Sequence, residues 1–182
     1  IVIEYVEGKL NIHDNVTHTM TNSPTYDWHL TNLRNYMTLN NKDLVSIERD
    51  GHTLKQLSTG DGLTGLPGDY KSASRFIKIT LLRDFAAPVD TVEEAYSLAG
   101  HILNNVDIPR GAVYSGEFEG KPLLETTEIA LIKDLKNNKI FVSDYAHRLN
   151  FLLIDLDKLF AQNKNIGPVL ISSFINQPPI DV

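Results

Sequence analysis

Hydrophobic and polar positions alternate with period two at the start of the chain. Ile1 to Val6 is rich in β-branched residues, Glu7-Gly8 supplies a turn, and Leu10-Asn11-Ile12-His13 alternates again, so an opening β-hairpin is predicted. A further short strand is predicted from Thr17 to Thr21, ended at the Asn22-Ser23-Pro24 corner by its proline. From Asp27 the period becomes helical, with Trp28, Leu30, Leu33, Tyr36 and Met37 on one stripe. Residues 38–70 contain several glycines and few apolar runs, and they read as mostly irregular.

A second helix is predicted to run through Arg83, with Ser72 or Ser74 as N-cap and Phe76, Ile77, Thr80 and Leu81 on one face. A third begins at Thr91. Thr91-Val92-Glu93-Glu94 matches the capping box, in which hydroxyl and carboxylate each satisfy an orphan backbone N–H. Val92, Ala95, Leu98, Ala99, Ile102 and Leu103 continue it as an apolar stripe. After Pro109-Arg110-Gly111 the pattern turns to strands: Thr126 to Leu135, a Lys136-Asn137-Asn138 turn, Ile140 to Tyr145, then Phe151 to Leu156. A short helix is predicted from Asp157 to Gln162, and Gln177-Pro178-Pro179 reads as an extended tail. Antiparallel strands with helices grouped in blocks argue for an α+β fold rather than a parallel one.

A chain of 182 residues fits one domain, residues 1–182, with no convincing linker and no repeat. Its formal net charge of −6 offers no basic footprint, so nucleic acid is not an expected partner. No apolar run approaches the roughly 18 residues that span a bilayer, so no membrane partner is expected either. The absence of cysteine excludes disulfides and Cys-type zinc sites within this chain. With Ile1 first and no signal peptide, the chain reads as processed or truncated.

Several patterns suggest chemistry. Gly60-Asp61-Gly62-Leu63-Thr64-Gly65 matches G-x-G-x-x-G, yet no good strand precedes it and Pro67-Gly68 blocks a helix, so it is read as a glycine-rich loop. His13, Asp14 and His18 lack the spacing of metal ligands, and no metal or cofactor is expected. Asn15-Val16-Thr17 is a glycosylation sequon in form only. No G-x-S-x-G elbow supports a serine triad. Asn22 before Ser-Pro is either a turn residue or an amide that donates to a developing oxyanion. Arg75, near a helix start where the dipole disfavours a cation, is either a surface charge or a residue with a dedicated carboxylate or thiolate partner.

Two longer motifs narrow these choices. Asn22-Ser23-Pro24-Thr25-Tyr26-Asp27-Trp28-His29 with Thr31-Asn32-Leu33-Arg34-Asn35-Tyr36, and Gly65-Leu66-Pro67-Gly68-Asp69-Tyr70 with Ser74-Arg75-Phe76, resemble in order and spacing the choloylglycine hydrolase family, which includes bile salt hydrolases and penicillin V acylases. Ile102 to Val106, Ile108 to Gly111 and the closing strands to Leu156 resemble later parts of the same family. The resemblance implies part of the four-layer αββα sandwich of N-terminal nucleophile hydrolases. It implies a bacterial enzyme that hydrolyses linear amides, with a small-molecule amide substrate and a homo-oligomeric state. Asn22 matches the family's oxyanion asparagine, and Arg75 matches the arginine held beside its cysteine nucleophile. That cysteine has no counterpart here, so a missing N-terminal segment or companion chain is expected to supply it. Trp28, Tyr26 and Tyr70 are candidates for an acyl pocket, with core packing as the alternative. A non-catalytic domain that binds a ligand or partner is the competing reading of the whole chain.

Overall fold

In the computed structural model, which describes residues 1–162, 167 and 168, the opening alternation folds as an antiparallel hairpin of β1 (Val2–Val6) and β2 (Lys9–His13). Glu7 and Gly8 both take positive φ, as a two-residue turn between right-twisted strands requires. Val2 and Glu4 face inward, whereas Ile3, Tyr5, Leu10 and Ile12 form an exposed apolar face. Two more two-residue hairpins repeat this turn chemistry. Asp50-Gly51 joins β3 (Ile47–Arg49) to β4 (His52–Leu54), and Glu119-Gly120 joins β5 (Val113–Phe118) to β6 (Lys121–Glu125).

The described residues fall into two compact units, Ile1–Glu94 with Asn104–Val106, and Ala95–Leu103 with the residues from Asp107 on. In the first unit, helices α1 (Tyr26–Leu33) and α2 (Ser72–Phe85) pack their apolar stripes together. Val2, Tyr26, Phe76, Ile77 and Leu81 make the buried cluster, and Leu30, Leu33, Tyr36, Leu39, Leu66 and Phe85 pack around it. Each fully buried side chain of this size contributes roughly 1.5–3 kcal/mol. Helix α1 has no side-chain cap from Thr25; instead both oxygens of Glu4 accept from Tyr26 N at 3.0 and 3.1 Å. A carboxylate there also complements the helix dipole.

The second unit holds the β5–β6 hairpin and a meander of β7 (Ile129–Asp134), β8 (Lys139–Asp144) and β9 (Leu152–Asp155), in that spatial order. Val142 and Ser143 are its most buried residues, and Tyr96 packs on Phe141 with ring centroids 4.2 Å apart. Helix α4 (Leu156–Ala161) is capped by Asp155, which accepts from Lys158 N at 3.0 Å. Helix α3 (Val92–Asn104) starts with the expected capping box: Glu94 N donates to Thr91 Oγ1 and Thr91 N to Glu94 Oε2, at 3.2 and 3.1 Å.

The elements differ from expectation in four places. Thr17 to Thr21 has no ladder partner among the described residues and is not a strand, although Thr17 and Thr19 are buried and His18 and Met20 exposed. Each threonine hydroxyl donates to the other's carbonyl, at 3.3 and 3.2 Å, and these local bonds replace a ladder. Ser72 and Ser74 are not N-caps; Lys71 holds that position, and Asp69 supplies the capping carboxylate. The irregular stretch 38–70 contains β3, β4 and a 3₁₀ turn at Asp61–Leu63, and the β5–β6 hairpin was not expected at all. The expected tail at Gln177-Pro178-Pro179 lies outside the described residues.

Candidate active site

Asn22 and Arg75, 53 positions apart, meet: Arg75 Nη2 donates to Asn22 Oδ1 at 2.9 Å. The position of each can be traced to its neighbours. Asn22 ends the segment that begins at Asn15, and that segment is tied down by the buried Tyr26. The Tyr26 hydroxyl donates to Asn15 Oδ1 at 3.2 Å and receives Thr17 N at 3.4 Å. The sequon asparagine is thus a structural acceptor.

Arg75 is the fourth residue of α2, and the helix start is set by Asp69. Asp69 Oδ1 accepts from Lys71 N at 2.9 Å, and Oδ2 from Ser74 Oγ at 2.8 Å. The Lys71 N–H and then the Ser74 hydroxyl hold the Asp69 carboxyl below its ordinary range. The neighbouring residues Phe76 and Ile77 are buried, so Arg75 is fixed by the packing of its own helix.

The guanidinium determines the orientation of the Asn22 amide. Arginine has only donors, so the atom facing it must be the amide oxygen. The Nδ2 amino group therefore points away from Arg75, and both its N–H bonds lack a partner among the described residues. Arg75 Nε is buried without a hydrogen-bond partner among the described residues. A buried donor on a cation is costly to leave unpaired, so this nitrogen calls for an acceptor.

The same corner contains His29, which sequence reasoning did not single out. It is only 2% exposed and stacks on Phe76 at 4.5 Å with the rings 13° apart. Its Nε2 lies 3.1 Å from Asn22 O and 3.2 Å from Thr21 Oγ1. A signal was available: Tyr26, His29, Leu30 and Leu33 share helical spacing, and a histidine on an apolar stripe needs partners. Of the proposed pocket aromatics, Tyr26 is core, Trp28 is 43% exposed and Tyr70 is half-buried. Gly60, Gly62 and Gly65 lie in and around the 3₁₀ turn at Asp61–Leu63. Gly60 and Gly65 take positive φ, and a Cβ on Gly62 would stand 2.2 Å from Lys42 O. Among the described residues no three His, Asp or Glu side chains converge as metal ligands.

Solved structures give the class. The chain superimposes on a conjugated bile acid hydrolase of Clostridium perfringens, crystallised as a mutant with a cysteine near its amino terminus replaced by alanine, with a TM-score of 0.70 and 33% identity over 86% of this chain and 46% of that one. It also shares the fold of penicillin V acylase from Agrobacterium tumefaciens, with a TM-score of 0.61, 22% identity, and 86% and 41% of the two chains covered. Both share with this chain an α+β arrangement, part of the N-terminal nucleophile hydrolase fold. Among sequences, it is 33% identical to a bile salt hydrolase/transferase of Clostridium perfringens over 92% of this chain and 52% of that protein. It is 36% identical to the Lactiplantibacillus plantarum counterpart over 65% of this chain and 37% of that protein. The family model for linear amide C–N hydrolases matches residues 1–159, and the chain belongs to the choloylglycine hydrolase family. It spans about half the length of the first of these relatives.

Proposed function

We propose that residues 1–182 are the C-terminal part of a single αββα amidase domain that cleaves the linear amide of conjugated bile salts or related N-acyl compounds. Asn22 and Arg75 are its supporting catalytic residues, and a cysteine outside this chain is its nucleophile. The observation that carries this reading is the 2.9 Å bond from Arg75 Nη2 to Asn22 Oδ1, which leaves the asparagine amino group free to donate. Family membership and the bile acid hydrolases among the relatives supply the reaction class.

In this mechanism the thiolate attacks the amide carbonyl carbon and the π electrons move onto oxygen. Asn22 Nδ2 donates to that oxyanion, a contact worth about 10²–10³ in turnover for one donor. Collapse of the tetrahedral species breaks the C–N bond. The leaving amine takes the proton that the nucleophile's own α-amino group had received. Water then attacks the thioester, releasing the acid and restoring the thiol. Arg75 has two tasks here: it orients the Asn22 amide, and its unpaired Nε lies ready for the thiolate, which a cation favours over the thiol.

The test uses the full-length protein with glycocholate, taurocholate and penicillin V, reading release of the free amine. The expected result is hydrolysis of at least one substrate, abolished by alkylating the cysteine. No release from any of them supports the competing reading, a non-catalytic ligand-binding relative.

A further inference from the structure

The pair Asn22 and Arg75 is joined a second time, through the Asn22 backbone carbonyl rather than its side chain. Thr21 Oγ1 lies 3.3 Å from Ser72 O, a carbonyl that can only accept, so the single hydroxyl hydrogen of Thr21 goes to it. His29 Nε2 faces Asn22 O and Thr21 Oγ1, and both must then accept from it. The ring is thereby assigned as the tautomer with its proton on Nε2, a choice made from its partners. Nδ1 is left as a bare acceptor, which agrees with its having no partner among the described residues.

The bonds close a ring. Asn22 O joins His29, His29 joins Thr21, Thr21 joins Ser72, the first turn of α2 joins Ser72 to Arg75, and Arg75 Nη2 returns to the Asn22 side chain. The histidine is also clamped from α2 itself, since the Phe76 ring on which it stacks follows Arg75 directly. One buried side chain therefore touches the backbone of one residue of the pair and the next neighbour of the other. Removing the Nε2 donor would free the Asn22 carbonyl, so that the corner is held to the start of α2 by the Thr21–Ser72 bond and by the Arg75–Asn22 bond itself.

We infer that His29 is a positioning residue of this amidase, one that sets Asn22 against Arg75 through a single Nε2–H shared by Asn22 O and Thr21 Oγ1. It touches neither substrate nor nucleophile, and its effect on turnover passes through Asn22. The kinetic part of this inference rests on the amidase reading, whereas the geometric part does not.

Three variants of the full-length protein test it: His29→Leu, which deletes the donor; His29→Gln, whose amide nitrogen restores one at the Nε2 position; and His29→Leu combined with Asn22→Ala. His29→Leu is expected to lower kcat by about 10- to 100-fold, the cost of a small misplacement of a catalytic group, with little change in KM. His29→Gln should recover most of that loss. In the Asn22→Ala background, His29→Leu should cost almost nothing further, because a residue that acts through Asn22 has nothing left to position. A purely structural role would give additive losses and no rescue, and that result overturns the inference. NMR of the Asn22 side-chain amide and the Arg75 Nε–H decides independently of activity. Both signals should shift in His29→Leu and return in His29→Gln; unchanged signals in a folded His29→Leu protein also overturn it. If the unmodified protein hydrolyses none of the amides, the amidase reading fails, and the NMR arm still decides the clamp.

Discussion

Replacing Asp69 with alanine isolates the device that starts the arginine-bearing helix. The carboxylate satisfies two donors at the start of α2, the backbone N–H of the N-cap residue Lys71 at 2.9 Å and the Ser74 hydroxyl at 2.8 Å, and among the described residues no other side chain caps that end. Each such bond is worth about 0.5–1.5 kcal/mol net, and for an exposed carboxylate the loss of both is expected to cost about 1–2 kcal/mol. The assay is urea unfolding of the full-length protein and of Asp69→Ala across pH. The bonded carboxyl titrates below its ordinary value of 3.8. Between the folded and unfolded pKa the unfolded chain therefore binds more protons, so the cap's stabilisation is complete above the unfolded value and fades as pH falls through the folded one. The stability difference between the two proteins should be full near neutrality and vanish at the acid end. An unchanged urea midpoint at pH 7, or a difference that persists after the carboxyl is protonated, would refute the assignment of Asp69 as the cap.

Two other perturbations test separate parts of the fold. Gly62→Ala should be strongly destabilising in a thermal melt, because a Cβ would stand 2.2 Å from Lys42 O and 2.5 Å from Asn40 O, and neither backbone atom can swing aside; an unchanged melting temperature would show that the 38–65 loop is not packed as described. Tyr96→Phe should raise the Asp134 pKa from about 2 toward 3.8 in a carboxyl NMR titration, since the Tyr96 hydroxyl is the main group lowering it, followed by the Asn137 side chain. An Asp134 that titrates as before would remove that bond from the account.

Much of this architecture was legible in the sequence. The opening hairpin, the stripe of α2, the Thr91–Glu94 capping box and the closing meander all follow from periodicity and cap chemistry, which act over a few residues. Two hairpins were missed although their turns carried a signal: Asp50-Gly51 and Glu119-Gly120 repeat the pattern of Glu7-Gly8. Their strands are short or largely exposed, so alternation did not mark them. Other features depend on contacts between distant parts of the chain. No local pattern says that Glu4 caps α1 from a strand, or that Thr17 and Thr19 bond each other where a ladder partner was expected. Asn22 and Arg75 were singled out only because two motifs stood in register with one family. Taken alone, their residue types favoured a turn and a surface charge. What neither motif conveyed is the means of holding them, the buried His29 and half-buried Thr21 bonded to one residue of the pair and the Asp69 carboxylate at the start of the other's helix.

The central claim is that the Asn22 amide, turned outward by Arg75, stabilises the oxyanion of an amide hydrolysis whose nucleophile lies outside this chain. The most direct measurement is single-turnover cleavage of the best conjugated amide by full-length protein and its Asn22→Ala variant, with equal folding verified by circular dichroism. The account predicts a loss of about 10²–10³ in the rate of acylation. A folded Asn22→Ala protein that acylates at the unmodified rate would contradict it.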